Sequence, residues 1–341
     1  MPKGKYVKEL LQAYKNNDEK AFEKVTNRMI EDEKDKSHYR LANSFKEIAN
    51  SFSDSNEMKK NNSSSIDNNY FNSLPRNDSG GADLVSIIKD PKYYLEDVVL
   101  SSENKKAINR ILDEYYNSKR LKGYSLEAKR KILFCGPPGC GKTVTAQSLA
   151  NEINLPLLYV HMDSLISSYL GETASNLRKV FQYAEKGRWV IFFDEFDTIG
   201  KSRDDENEHG ELKRSVNTLL QMIDNFKTDN LLIAATNHQH LLDNAIWRRF
   251  DEIIYFDKPD LSQIEELLKN KFRTFKSKVD FKKISKSLNG MSHAEIERIC
   301  KDAIKYCIIN DIKKVDKKIL EKSINEEKRR KIVYEGIEKG D

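Results

Sequence analysis

The sequence predicts an α/β fold, a parallel sheet with helices on both faces, and three observations carry that reading. Five strand-like runs, Lys131–Cys135, Leu155–His161, Trp189–Phe193, Leu231–Thr236 and Glu252–Phe256, alternate with amphipathic helical stretches. Such alternation implies parallel strands joined by helical crossovers. The first run leads into Gly136-Pro137-Pro138-Gly139-Cys140-Gly141-Lys142-Thr143, which matches G-x-x-x-x-G-K-[ST] and opens a helix through Val144. The third run ends in two acids, Asp194-Glu195.

The bulk properties fit a polar globular chain. Its 341 residues leave room for about two domains and a small module. Apolar residues make up 38% and charged residues 33%, and mean hydropathy is −0.71. No apolar run approaches the ~18 residues of a membrane span. The start, Met1-Pro-Lys-Gly-Lys-Tyr6, lacks the apolar core of a signal peptide. Cys135, Cys140, Cys300 and Cys307 have no metal-type spacing and read as free buried thiols. A reducing, cytoplasmic location is therefore expected. Net charge is +5. Residues 261–341 hold 21 Lys/Arg and 14 Asp/Glu, a surplus of +7. That surplus suits an acidic partner or nucleic acid, and equally a solvated surface.

In chain order, residues 1–52 read as a helical docking module. Tyr6, Val7, Leu10, Leu11 and Tyr14 repeat at helical spacing, then Phe22, Val25, Met29 and Ile30, then Leu41, Phe45, Ile48 and Phe52. Residues 53–82, rich in Ser, Asn and Lys, read as a flexible linker. Residues 83–258 carry the strand and helix alternation. Past Pro259 the strands stop, and residues 259–341 read as a helical domain over Leu261–Phe272, Phe281–Leu288, Ser292–Asn310 and Asp316–Lys331.

The chemistry concentrates at three strand ends. A strand, a Gly-rich turn and a helix aim backbone N–H groups at one anion, and the helix dipole adds positive potential. Lys142 suits the β- and γ-phosphates and Thr143 suits Mg²⁺. Asp194 is placed to hold Mg²⁺ or its waters, and Glu195 to orient and polarise an attacking water. Asn237, after the fourth run, can hold that water or sense the γ-phosphate, and it can equally be a turn residue. Arg248-Arg249 puts two guanidiniums side by side, which suits a phosphate or a surface ion pair.

Taken together, these residues resemble an AAA ATPase over about residues 83–312, with Gly136–Thr143 as Walker A, Asp194-Glu195 as Walker B, Asn237 as sensor 1 and Arg248 and Arg249 as arginine fingers. The Arg-Arg-Phe form is similar to the meiotic group of that family (katanin, spastin and their like). The resemblance implies a P-loop NTPase fold with a five-stranded parallel sheet and a C-terminal helical lid. It also implies ATP and Mg²⁺, and a homo-oligomer, a hexameric ring with ATP between subunits.

Two further motifs gain meaning from it. Ser168-Tyr169-Leu170-Gly171-Glu172 resembles a pore loop, so Tyr169 and Leu170 would grip a protein client in the central channel. Read alone, the pair is a core Tyr-Leu at a helix start. Gly290-Met-Ser292-His293-Ala294 resembles the lid motif that closes over the base, with Gly290 and Ala294 as nucleotide contacts and His293 where the family has a second Gly. No His-Glu-x-x-His stretch occurs, so the zinc protease of FtsH-type members is not expected. The layout is similar to proteins with an N-terminal helical module on a linker, which implies client docking through that module. A nucleic-acid remodeller and an ATP-dependent switch or scaffold feeding a separate effector are the alternatives.

Overall fold

The computed structural model describes residues 19–35, 74–78, 81–166, 172–199 and 209–338, with isolated positions at 6, 10 and 13. Tyr169 and Leu170 and most of the expected N-terminal bundle lie outside the described residues. Helix α1 (Glu19–Asp35) is described from that bundle, with Val25 and Ile30 buried, as their helical spacing implies.

The sheet has six strands: β1 (Val85–Ile88), β2 (Lys131–Cys135), β3 (Leu157–Val160), β4 (Val190–Phe193), β5 (Leu231–Thr236) and β6 (Glu252–Tyr255), in the order β1-β3-β4-β5-β2-β6. All five expected strands form and run parallel. The expectation of five strands needs one correction: β1 adds an antiparallel edge, with Val85 opposite Val160 and Ile88 opposite Leu157. At four residues β1 is too short to show a period. Its backbone pairing, not its side-chain pattern, makes it a strand.

The continuous apolar runs are explained by burial on both faces. Every residue of β5 is buried. One sheet face packs Leu133, Ile191, Phe193 and Leu232 under helices α4 (Glu172–Glu185) and α5 (His209–Asn225). The other packs Ile132, Phe134, Phe192 and Ile233 under α2 (Ser102–Tyr116) and α3 (Lys142–Glu152). Buried Asn230 is fully engaged: its Oδ1 accepts from Trp189 N–H at 2.9 Å and its Nδ2 donates to the Ala184 and Gly187 carbonyls at 2.9 and 3.1 Å.

The third core belongs to the C-terminal helices α6 (Leu261–Lys271), α7 (His293–Ile309) and α8 (Lys317–Glu338). Ile264, Leu268, Ile296, Ile299, Ala303 and Leu320 are its centre. Capping boxes fix two helix starts, Asp260 with Gln263 and Ser292 with Glu295. Val99, from the segment before α2, inserts into this core and joins the two parts of the chain.

The end of the expected linker is docked rather than free. Leu74 packs on the first core, Arg76 pairs with Asp83 at 3.0 Å, and Asp78 pairs with Lys179 at 2.6 Å. Leu74, among a few scattered apolar residues in a polar stretch, gave no periodic signal for this.

Gly136 sits where strand becomes loop, at φ +134°, and a Cβ there would stand 2.1 Å from the Phe256 carbonyl oxygen. Phe256 N–H in turn donates to Cys135 O at 2.7 Å, so that carbonyl cannot easily retreat. Gly136→Ala is expected to destabilise the protein by about 3 kcal/mol, read as a lowered urea midpoint. An unchanged midpoint would show that the turn yields freely.

Candidate functional site

Parallel register brings the expected residues to one end of the sheet. Cys135 is opposite Thr236, and Phe193 is opposite Ala234. Gly136, Asn237 and Asp194-Glu195 therefore leave the carboxyl ends of the adjacent strands β2, β5 and β4, the place where open α/β sheets bind ligands.

The Gly136–Thr143 loop turns through three left-handed glycines, Gly136, Gly139 and Gly141, with φ of +134°, +73° and +98°. Lys142 opens α3 and is almost wholly buried. Its Nζ donates to the Gly136 and Pro137 carbonyls at 2.6 and 2.9 Å, so the ammonium lies inside the loop. Burial lowers its pKa, and the charges of neighbours such as Asp194 oppose that shift. Burial also raises the Cys135 thiol to about 12 and raises that of Cys140. Both are protonated packing groups at neutral pH, as expected for buried thiols.

Thr143 Oγ1 donates to Asp194 Oδ2 at 2.8 Å. The other carboxylate oxygen, Oδ1, accepts the Glu195 N–H at 3.0 Å. Glu195 adopts a left-handed conformation, φ +52°, uncommon outside glycine. Its carbonyl is held by Thr198 Oγ1 at 2.5 Å, and its side chain is exposed. An ordered turn thus holds a strained residue with its carboxylate free of the core, a feature that clusters at functional sites.

Sequence reasoning missed Asp197 and Thr236. Both are buried, and Thr236 Oγ1 donates to Asp197 Oδ1 at 2.8 Å while accepting the His238 N–H at 3.0 Å. This pair ties the acidic turn to the strand that carries Asn237. The signal available was a Thr closing an otherwise apolar strand.

The lid reaches the same end. Ala294 N–H, in the first turn of α7, donates to the Gly139 carbonyl at 3.0 Å, and Gly290 makes the preceding turn at φ +82°. A Cβ at Gly139 would stand 3.0 Å from both Ala294 Cβ and Ser292 Oγ. Arg248 and Arg249 lie elsewhere. They precede β6, whose first residue, Glu252, is opposite Ile132 near the start of β2. The loop leaves the far end of that strand. Arg249 Nε pairs with Asp224 Oδ2 of α5 at 2.9 Å, whereas exposed Arg248 has no ion pair among the described residues.

A parallel sheet with a Gly-rich phosphate loop, a Thr–Asp pair beside it and a helical lid hydrogen-bonded to the loop defines a P-loop nucleotide-binding protein. Comparison with known proteins agrees. The model of the ATPase family associated with various cellular activities (AAA) matches residues 132–258. An uncharacterized AAA family ATPase, y4kL, of Sinorhizobium fredii is 40% identical over 331 residues, 97% of each chain. An ATP-dependent zinc metalloprotease FtsH of Mycoplasmopsis synoviae is 34% identical over 70% of this chain and 37% of its own length. A 26S proteasome regulatory subunit homolog of Methanothermobacter marburgensis is 35% identical over 67% of this chain and 63% of its own. The chain belongs to the AAA family of ATPases. Among the described residues no helix is long and apolar enough to cross a membrane, and no group of three His, Cys, Asp or Glu is placed to hold a metal.

Proposed function

We propose that this ATPase works as a ring, hexameric as its family resemblance implies, that remodels, unfolds or translocates client proteins. The observation that carries the reading is the 3.0 Å hydrogen bond between lid and phosphate loop, Ala294 N–H to Gly139 O. A nucleotide-dependent change at the loop is thereby felt by the lid, and lid motion is the means of moving a pore loop. The names of two relatives, a proteasome regulatory subunit homolog and an ATP-dependent protease, support a protein client.

The site residues take these roles. Backbone N–H groups of Gly136–Val144 and the Lys142 ammonium bind the phosphates. Gly290 and Ala294 approach the nucleoside from the lid. Thr143 Oγ1 and Asp194, 2.8 Å apart, form the hard oxygen set that Mg²⁺ takes in nucleotide sites. When bound, the ion neutralises developing charge on the phosphates. Glu195 orients the attacking water and accepts its proton, Asn237 holds that water from the neighbouring strand, and Arg248 and Arg249 serve the nucleotide of the next subunit. Tyr169 and Leu170 grip the client, and residues 1–52 dock it, tethered by residues 53–82 to the ATPase unit, 83–258 with its lid 259–341. The cytoplasm is the proposed compartment. The Arg248-Arg249-Phe250 form supports placing the chain nearest the meiotic group.

The test uses the full chain with Glu195→Gln, held with ATP, as a trap. Polypeptides that co-purify and are lost on adding Tyr169→Ala are the expected result. Recovered nucleic acid, or a fixed partner indifferent to Tyr169, would replace this reading with a nucleic-acid remodeller or an ATP-dependent scaffold.

A further inference from the structure

The hydrolysis proposed above leaves the buried carboxylate of Asp197 without a role. Its partner, Thr236, closes β5, an otherwise apolar strand in which every residue is buried. A hydroxyl in such a place lowers stability unless its hydrogen-bonding capacity is used. Thr236 Oγ1 uses it in both senses, donating to Asp197 Oδ1 at 2.8 Å and accepting the His238 N–H at 3.0 Å. The second bond spans two residues, a local turn that fixes the backbone of the residue inside it. That residue is Asn237.

The other end of the bond lies in the turn that carries Glu195. Asp197 belongs to the short 3-10 turn Phe196–Ile199, which directly follows Asp194-Glu195. Thr198 holds the Glu195 carbonyl through its N–H at 2.9 Å and its Oγ1 at 2.5 Å. Phe196 anchors the turn in the core and meets Phe193 and Phe250 edge to face, with ring centres 6.2 and 6.0 Å away. Strand β4 ends at Phe193, opposite Ala234, so Thr236 stands two residues past the last paired position. Beyond that level the sheet ladder no longer sets the distance between the two loops. The Thr236–Asp197 bond does.

We propose that Asp197, acting through the Thr236 hydroxyl, is a positioning residue for hydrolysis: it aligns Asn237 with Glu195 so that both meet one attacking water. The proposal rests on the roles given to Glu195 and Asn237 above. Neither Asp197 nor Thr236 need touch the nucleotide. Their contribution is geometric, and catalysis by positioning is lost steeply when the geometry slips.

The experiment measures kcat and the ATP dissociation constant on the full chain. Thr236→Val keeps the side-chain volume and removes the hydroxyl. It should lower kcat by about 10²-fold, the cost of a misplacement of about 1 Å, and leave ATP binding unchanged. Thr236→Ser keeps the hydroxyl and should restore most of the turnover. Asp197→Asn keeps the shape with a weaker acceptor and should lower kcat in the same sense by less, which tests the bond even where Thr236→Val does not fold. The readout that a merely structural role would not give is non-additivity. Asn237→Ala leaves nothing to align, so adding Thr236→Val to it should cost little further turnover, whereas independent damage would multiply. Wild-type kcat in both Thr236→Val and Asp197→Asn, or full multiplication in the double variant, overturns the positioning role alone. Normal hydrolysis by Glu195→Gln and by Asn237→Ala overturns the roles on which it rests, and this inference with them.

Discussion

Glu195→Gln is expected to bind ATP as tightly as the wild-type protein and to hydrolyse it about 10²–10⁴-fold more slowly, the usual worth of a positioned general base. The argument starts from the backbone. Glu195 N–H is tied to Asp194 Oδ1 and Glu195 O to Thr198 Oγ1, so the turn holds its shape whatever ends the side chain. Glutamine has the same length and removes only the charge and the proton-accepting oxygen. The exposed side chain makes no packing contribution that the change could forfeit. The groups expected to bind stay in place, because the Lys142 ammonium and the Thr143–Asp194 pair make no contact with the Glu195 side chain, and the Glu195 N–H that meets Asp194 is untouched by the substitution. Lys142→Ala is the contrast: it removes the buried ammonium from the loop and should abolish ATP binding itself. Equilibrium binding and steady-state phosphate release on both variants separate the two. Normal hydrolysis by Glu195→Gln would show that another group positions the water.

What the sequence disclosed follows from which physical signals are local. The phosphate loop, the acid pair and the five parallel strands were legible because each is written in contiguous residues: glycines at forced left-handed turns, continuous apolar runs buried on both faces, acids at a strand end. The lid helices were legible by period, and both Cys300 and Cys307 fall on the buried face as that period implies. Strand β1 was not, since four residues paired antiparallel to β3 carry no pattern of their own. Nor was the Asp197–Thr236 hydrogen bond, which joins residues 39 positions apart. The docking of Asp78 on Lys179 was hidden in the same way, by a contact between distant residues in a polar stretch. The departure at His293 was visible as a residue type, but its burial against the Val99 backbone exists only in three dimensions.

Arg248→Ala with Arg249→Ala should bind ATP normally and lose turnover by roughly 10³-fold, as removal of an arginine that stabilises transferring phosphate does. The geometry supports action on a neighbouring subunit. Both arginines precede Glu252, which is opposite Ile132, whereas the loop begins at Gly136. Four residues of strand at about 3.3 Å each separate those levels by about 13 Å, beyond the reach of a guanidinium held by Asp224. Stability should barely change. The Arg249–Asp224 pair is partly exposed, and such pairs contribute about 0–1 kcal/mol. A loss of turnover will therefore report chemistry, not unfolding. Mixing supplies the decisive arm. The double variant and Lys142→Ala should each be inactive alone, one without the proposed fingers and the other without the loop ammonium. In a mixed ring a Lys142→Ala subunit can offer its arginines to the intact loop of the double variant. Recovery of part of the wild-type turnover on mixing is expected, in proportion to the junctions that pair correctly. Full turnover by the double variant alone, or a mixed assembly that forms and stays inactive, would place the stabilising cation within the same subunit or elsewhere on the chain.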